Sequence, residues 1–136
     1  MQLEYPEDFS PGDVKTYFGS SSTVWIADEI IYIYSHPNKF HSLEDAMEAS
    51  DYIEAELGPK KLPMICDVRL ARPIPKSVRD YYSSDQGTRN CNKFAFVVAS
   101  KFSRVLANFF IGFTQRTYPI QMFDSTRKAI AWCKTT

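Results

Sequence analysis

The sequence has 136 residues, which fits one domain with its own hydrophobic core. Its 16 Lys and Arg residues balance 16 Asp and Glu residues, so no net charge draws the chain to nucleic acid or to a membrane surface. No apolar stretch reaches the roughly 18 residues that a membrane span needs, and the acidic start MQLEYPEDFSPGD does not resemble a signal peptide. Three widely separated cysteines predict neither a disulfide framework nor a zinc site, which favours a reducing cytoplasm.

The first regular elements are predicted to follow a loose lead-in, residues 1–14, within a single domain that covers residues 1–136. Aromatic and β-branched residues then alternate and cluster in VKTYFGSSSTVWIADEIIYIYS, as they do in strands. Asp28 and Glu29 can form a tight turn in this stretch. We therefore expect Thr23–Ala27 and Ile30–Ser35 to pair as an antiparallel hairpin.

The stretch HPNKFHSLEDAMEASDYIEAELGP predicts the clearest helix of the sequence. Ser42 can cap its start, and Gly58 can supply the left-handed residue at its end. One arc of the helical wheel is apolar: Leu43, Ala46, Met47, Ala49, Ile53 and Leu57. Most of the acidic residues lie opposite, namely Glu44, Asp45, Glu48, Asp51 and Glu56, with Glu54 nearer the apolar edge. These acids predict either a solvated face or a docking face for a basic partner.

The second half of the chain alternates strands with helices. Leu62–Val68 is predicted to be a short buried strand, and Pro75–Ser84 a helix. The almost continuous apolar run Lys93–Ser100 is typical of a central parallel strand. YPIQMF predicts a last strand, and DSTRKAIAWC a last helix capped by Asp124 or Ser125. The order β-β-α-β-α-β-α-β-α predicts an α/β domain with a mixed sheet, antiparallel at its start and mostly parallel afterwards.

An aromatic stripe precedes the last strand. It consists of Phe102, Val105, Leu106, Phe109, Phe110 and Phe113, which recur at helical spacing. This third helix is expected to bury the stripe in the core, and the alternative is that the stripe forms the wall of a ligand pocket.

Three stretches resemble the SpoIIAA-like branch of the STAS superfamily, the sulfate-transporter and anti-sigma-factor-antagonist fold. They are ICDVRLARPIPKSVRDYYSS, FAFVVASKFSRVLANFFIGF and YPIQMFDSTRKAIAWC, and the resemblance extends from Tyr17 to Cys133. The second and third stretches are similar to patterns in bacterial members of unknown function. The resemblance implies a small cytoplasmic protein without catalytic activity, often regulatory or self-associating.

In the antagonists of that superfamily, a partner kinase phosphorylates a serine in the loop after the corresponding strand. Ser77 lies about where that serine would be, but the acid before it and the glycine after it are absent. The residues themselves offer Ser77 another role, because Ser77 and Asp80 have the spacing of a helix capping box. Pro75 competes with it as the first helical residue.

The candidate binding residues are Asp67, Arg69, Arg72, Lys76 and Ser77. They follow a predicted parallel strand, at the edge of the sheet where open α/β proteins place functional loops. Asp67 can pair internally with Arg69 or Arg72. Alternatively, these arginines, Lys76 and Arg79 form a small anion-binding patch at the start of a helix.

Other candidate sites are weaker. Cys66 and Arg72 have the Cys-x5-Arg spacing of a cysteine phosphatase, but the stretch has no glycine to shape a phosphate-binding loop, so Cys66 is predicted to be buried and inert. His36 and His41 flank a turn without further ligands nearby, so they are expected to be solvated and no metal is predicted. The sequence contains no cofactor-binding fingerprint.

We therefore expect a non-enzymatic regulatory or protein-interaction module. The alternative is a carrier of a lipid or other small molecule, with a pocket beside the Phe-rich third helix. The expected partner is another protein or a second copy, with a small anion or lipid as a possible ligand. The balanced charge and the 15% aromatic content favour a homodimer.

Overall fold

The structure is a computed structural model, and it describes residues 4–37, 39–82, 84–101, 103–105 and 118–135. Its centre is a six-stranded sheet whose strands lie side by side in chain order. The strands are β1 (Thr16–Phe18), β2 (Ser22–Ala27), β3 (Ile30–Ser35), β4 (Leu62–Asp67), β5 (Cys91–Val97) and β6 (Ile120–Phe123). The first three are antiparallel, and β3 to β6 are parallel.

The predicted hairpin and the predicted parallel pair are both confirmed. Asp28 and Glu29 adopt φ angles of 51° and 62°, the left-handed conformation that a tight two-residue hairpin turn requires. β4 and β5 pair in parallel, in agreement with the helical crossover between them. One strand more than predicted is present, because the chain turns at Gly19 and adds β1 to the outer edge of β2.

The helices are α1 (Leu43–Leu57), α2 (Lys76–Tyr82), α3, of which residues 101 and 103–105 are described, and α4 (Thr126–Cys133). Ser42 caps α1 as predicted, since its hydroxyl accepts the backbone N–H of Asp45 at 3.0 Å. Gly58 ends this helix with φ at 60°. Of the two predicted caps of α4, the structure uses Ser125, which accepts the N–H of Lys128 at 3.2 Å.

The sheet has a separate hydrophobic core on each face. The α1/α2 face buries residues such as Ile33, Met64, Cys66 and Phe96 beneath the two helices. The α4 face buries a second cluster, in which Phe9 packs with Trp25, Tyr34, Ile65 and Ala129. The predicted loose lead-in is therefore anchored, because Phe9 lies in this second core although the segment around it has no helix or strand.

Two predictions about apolar stripes need correction. On α1, Leu43 and Met47 are exposed, because the helix rests on its small residues Ala46 and Ala49 and leaves these larger ones on its flank. Val105 is exposed too and does not belong to the core. The other members of the aromatic stripe lie outside the described residues: Phe102, Leu106, Phe109, Phe110 and Phe113.

Candidate functional site

The predicted binding residues lie on the loop between β4 and α2, at the carboxyl edge of the parallel strands. Three buried side chains tie this loop to the α1/α2 core: Val68, Ala71 and Ile74. A backbone hydrogen bond of 3.2 Å from Ala71 to Val68 turns the chain between them. The residues between these anchors, Leu70 and Arg72, are consequently held outward and exposed.

Asp67 and Arg69 form an internal ion pair. The Asp67 side chain is 1% exposed, and both of its oxygens accept hydrogen bonds from Arg69: Oδ1 from Nε at 3.1 Å and Oδ2 from Nη2 at 2.9 Å. The backbone N–H of Arg69 donates to Oδ1 as well, at 3.0 Å. These bonds compensate the buried carboxylate and raise the pKa of Arg69 above its ordinary value.

Asp8 extends this pair into a cluster of three charged groups. Its two oxygens accept hydrogen bonds from Nη2 and Nη1 of Arg69 at 2.9 and 3.3 Å. These bonds hold the pKa of the Asp8 carboxyl below its usual value. Sequence reasoning missed Asp8, since it lies 61 positions from Arg69 in a segment without a regular element. The cluster ties the N-terminal segment to the loop after β4.

Arg72 and Lys76 have separate environments. The Arg72 guanidinium lies 5.0 Å from the centre of the Phe40 ring, which is 68% exposed. Lys76 pairs with Asp80 one helical turn later, at 2.7 Å. Within the described part of the chain, no hydrogen bond or ion pair joins either residue to Asp67 or Arg69. The predicted site residues therefore divide into a buried ionic cluster and an exposed surface.

Ser77 belongs to the exposed surface, and its predicted capping role is wrong. α2 begins at Lys76, and the carbonyl of Pro75 accepts the N–H groups of Val78 and Arg79, both at 3.0 Å. Ser77 thus lies inside the first helical turn, where its side chain is solvent-exposed. The fixed backbone angle of Pro75 favours this earlier start.

Cys66 lies in the core, as predicted, on the α1/α2 face of β4. Burial raises the pKa of its thiol to about 12, so the thiolate that a cysteine phosphatase needs is strongly disfavoured. Its one polar neighbour at hydrogen-bonding range among the described residues is the Ser35 hydroxyl, 3.9 Å from the sulfur.

Both histidines are buried, which corrects the expectation of solvated loop residues. Nε2 of His36 lies 2.7 Å from the Thr23 hydroxyl. His41 is 7% exposed, and its Nε2 has no hydrogen-bond partner within the described chain. His41 lines a small, largely apolar cavity of about 30 Å³, together with Cys66, Phe94 and Phe96. Burial lowers the pKa of both imidazoles.

The acidic side of α1 is partly neutralised. Arg89 pairs with Glu54 and, at 2.9 Å, with Asp51. Lys15 pairs with Glu56, also at 2.9 Å. No group of three or more His, Cys, Asp or Glu side chains suited to a metal ion occurs in the ranges that the structure describes. Those ranges also contain no helix long and apolar enough to cross a membrane.

The fold and a family can now be assigned by comparison. A model of a domain of unknown function, DUF7793, matches residues 24–136. The chain belongs to this family. The structure is similar to that of an uncharacterised protein from Shewanella loihica PV-4, which belongs to the DUF3478 family and has a SpoIIAA-like fold. The TM-score is 0.60 and the sequence identity 13%, and the match covers 92% of this chain and 98% of that one. This similarity confirms the predicted SpoIIAA-like fold.

Other comparisons add no function. A protein of unknown function from Arthrobacter sp. FB24 is 26% identical, with a TM-score of 0.31, over 83% of this chain and 99% of that one. None of the proteins with curated functions matches this chain.

Proposed function

We propose that this DUF7793 protein is a non-enzymatic regulatory or protein-interaction module of the cytoplasm. Its contact surface is the loop surface, which we define as Phe40, Leu70, Arg72, Lys76 and Ser77. The observation that carries this proposal is the exposure of large apolar side chains, 68% for Phe40 and 60% for Leu70. The Arg72 guanidinium lies over Phe40 and has no carboxylate partner among the described residues. Aromatic and arginine side chains supply much of the energy of protein interfaces.

The anchored loop suits this role. Val68, Ala71 and Ile74 fix the loop backbone in the core, and the prolines at 73 and 75 restrict it further. Binding then costs little ordering entropy. The charge of Arg72, which has no carboxylate partner among the described residues, favours binding of an acidic segment of a partner or of a small anion. A second copy of the chain is a further proposed partner. Phosphorylation of Ser77 would add negative charge to this surface and oppose an acidic partner.

The experiment compares partner capture by three forms of the full chain: wild type, Arg72→Ala with Lys76→Ala, and Ser77→Asp. Proteins from the native host that co-purify with each form are quantified by mass spectrometry, and affinities for a recovered partner are then measured at two salt concentrations. Both variants should weaken binding, and the double variant should also reduce its salt dependence.

The matched control is Lys128→Ala with Lys134→Ala. It removes two positive charges from α4 and its end, and Lys128 forms the same type of pair, with Asp124 at 3.0 Å, that Lys76 forms with Asp80. The control should bind as the wild type does. Equal partner affinity of all four forms would refute the proposed surface.

A small-molecule or lipid carrier is the second candidate. It is favoured by the apolar cavity that Phe94, Phe96 and His41 line, since Nε2 of His41 has no hydrogen-bond partner among the described residues. The cavity of about 30 Å³ has room for one water molecule, so a larger ligand would have to open it. Native mass spectrometry of the purified protein decides between the candidates, because a carrier retains a ligand that denaturation releases.

A further inference from the structure

A second, larger concavity lies at the carboxyl edge of the sheet. Of the residues that define the loop surface, Leu70 alone lines it among the described residues. It is an open cleft of about 420 Å³, bounded by residues 4–6, Tyr34, Arg69, Leu70 and Ala99. The volume is within the range of roughly 300–1,000 Å³ that is common for small-molecule sites. The ends of β3 and β4 form its floor, and the N-terminal segment forms one wall.

Tyr34 supplies an unused polar group in this cleft. The residue is 2% exposed, and its ring packs against Tyr5 and Phe9 at centroid distances of 5.3 and 6.4 Å. Its hydroxyl makes no hydrogen bond with the described residues, so it is available to a ligand in the cleft. Burial, and secondarily the nearby Asp67 carboxylate, raises the pKa of Tyr34, so the hydroxyl is neutral and can both donate and accept.

The charges around the cleft exclude an anion. Arg69 already uses four of its five N–H groups in bonds to Asp67 and Asp8. Glu4, an exposed acidic residue, borders the cleft as well. Glu4 and Asp67 line the cleft and Asp8 adjoins it through Arg69, so three carboxylates and one guanidinium give this region of the described chain a negative charge.

We propose that this cleft binds a compact organic ammonium ion carried on an apolar stem. The ammonium donates hydrogen bonds to the Glu4 carboxylate and the Tyr34 hydroxyl oxygen, and the ring of Tyr5, which is only partly buried, adds cation–π attraction. The stem lies against Pro6 and Leu70. A free arylalkylamine and a lysine side chain of a partner share this chemistry.

The test titrates the full chain with phenethylamine and two matched compounds, and binding is measured by the changes in amide chemical shifts. 2-Phenylethanol keeps the stem and removes the charge, and 3-phenylpropionate reverses the charge. Phenethylamine should bind about tenfold more tightly than 2-phenylethanol, the equivalent of about 1.4 kcal/mol, and 3-phenylpropionate should bind most weakly. The shifts should be centred on Tyr34, Leu70 and Ala99. N-acetyl-lysine amide, tested in parallel, represents a lysine side chain of a partner. Tighter binding of phenethylamine identifies a free arylalkylamine as the ligand, and tighter binding of N-acetyl-lysine amide identifies a partner's lysine.

Two variants test the residues named above. Tyr34→Phe and Glu4→Gln should each weaken phenethylamine binding about threefold to tenfold. Tyr34→Phe removes a hydroxyl without a partner, so it should fold as the wild type does. The matched controls are Tyr32→Phe, on the same strand but stacked on Trp25, and Glu7→Gln, an exposed acid outside the cleft. Three outcomes would overturn the proposal. They are amide shifts centred outside the cleft, binding of 3-phenylpropionate as tight as that of phenethylamine, and no amide shift with either amine at about 10 mM.

Discussion

Replacement of Arg69 by methionine should destabilise this protein, because it removes the charged partner of a buried carboxylate. Methionine keeps the apolar stem but removes the two side-chain hydrogen bonds to the Asp67 carboxylate, which is 1% exposed and would keep only the bond from the backbone N–H of residue 69. Loss of one partner of a buried ion pair costs about 3–5 kcal/mol, and the partial exposure of Arg69 favours the lower value, about 3 kcal/mol. Asp8 is much more exposed, so Asp8→Asn should cost less than about 1 kcal/mol.

Urea and thermal unfolding measure these differences. For a chain of this size, about 3 kcal/mol corresponds to a decrease of about 10 °C in the midpoint temperature. Asp67→Asn combined with Arg69→Met should recover a substantial part of the loss, because the uncompensated charge is then absent. Arg127→Met, which removes an exposed arginine from α4, is the matched control and should change stability by less than about 0.5 kcal/mol. Equal effects of Arg69→Met and Arg127→Met would refute the view that Arg69 compensates a buried charge.

Three further predictions concern stability, reactivity and assembly. Burial lowers the pKa of His36 and His41, so below about pH 6.5 the unfolded chain binds more protons than the folded one. The free energy of unfolding should therefore decrease as the pH is lowered from about 7 to about 5. Urea midpoints that do not change over this range would contradict the prediction. Cys66, with a pKa of about 12, should react with iodoacetamide only after denaturation, and rapid labelling in the native state would show that it is accessible. Light scattering should give the mass of a homodimer at high micromolar concentration, whereas a monomer mass would exclude the proposed self-association.

Much of the fold could be predicted from local signals. The Asp28-Glu29 turn, the Ser42 cap and the apolar run of β5 each depend on neighbouring residues alone, and each is present in the structure. The errors concern properties that depend on what packs against an element. The spacing of Leu43 and Met47 places them on the apolar arc of α1, but it contains no information on how closely the sheet approaches that helix.

For the candidate site as well, local signals identify the charged residues but not the distant residues that they contact. The density of positive residues after β4 favours an anion patch, one of the two alternatives, only where side chains close in sequence are also neighbours in space. Strand geometry separates them: Asp67 and Arg69 point to the α4 face, where Asp8 completes their charge balance, whereas Arg72 reaches Phe40 at the start of α1. Neither Asp8 nor Phe40 has a local signal that links it to this loop. An ion pair two residues apart was predictable as one alternative, but its burial and its third member depend on a contact 61 positions away. The N-terminal segment that carries Asp8 also forms one wall of the cleft at this edge of the sheet, which no local pattern around residues 4–8 predicts.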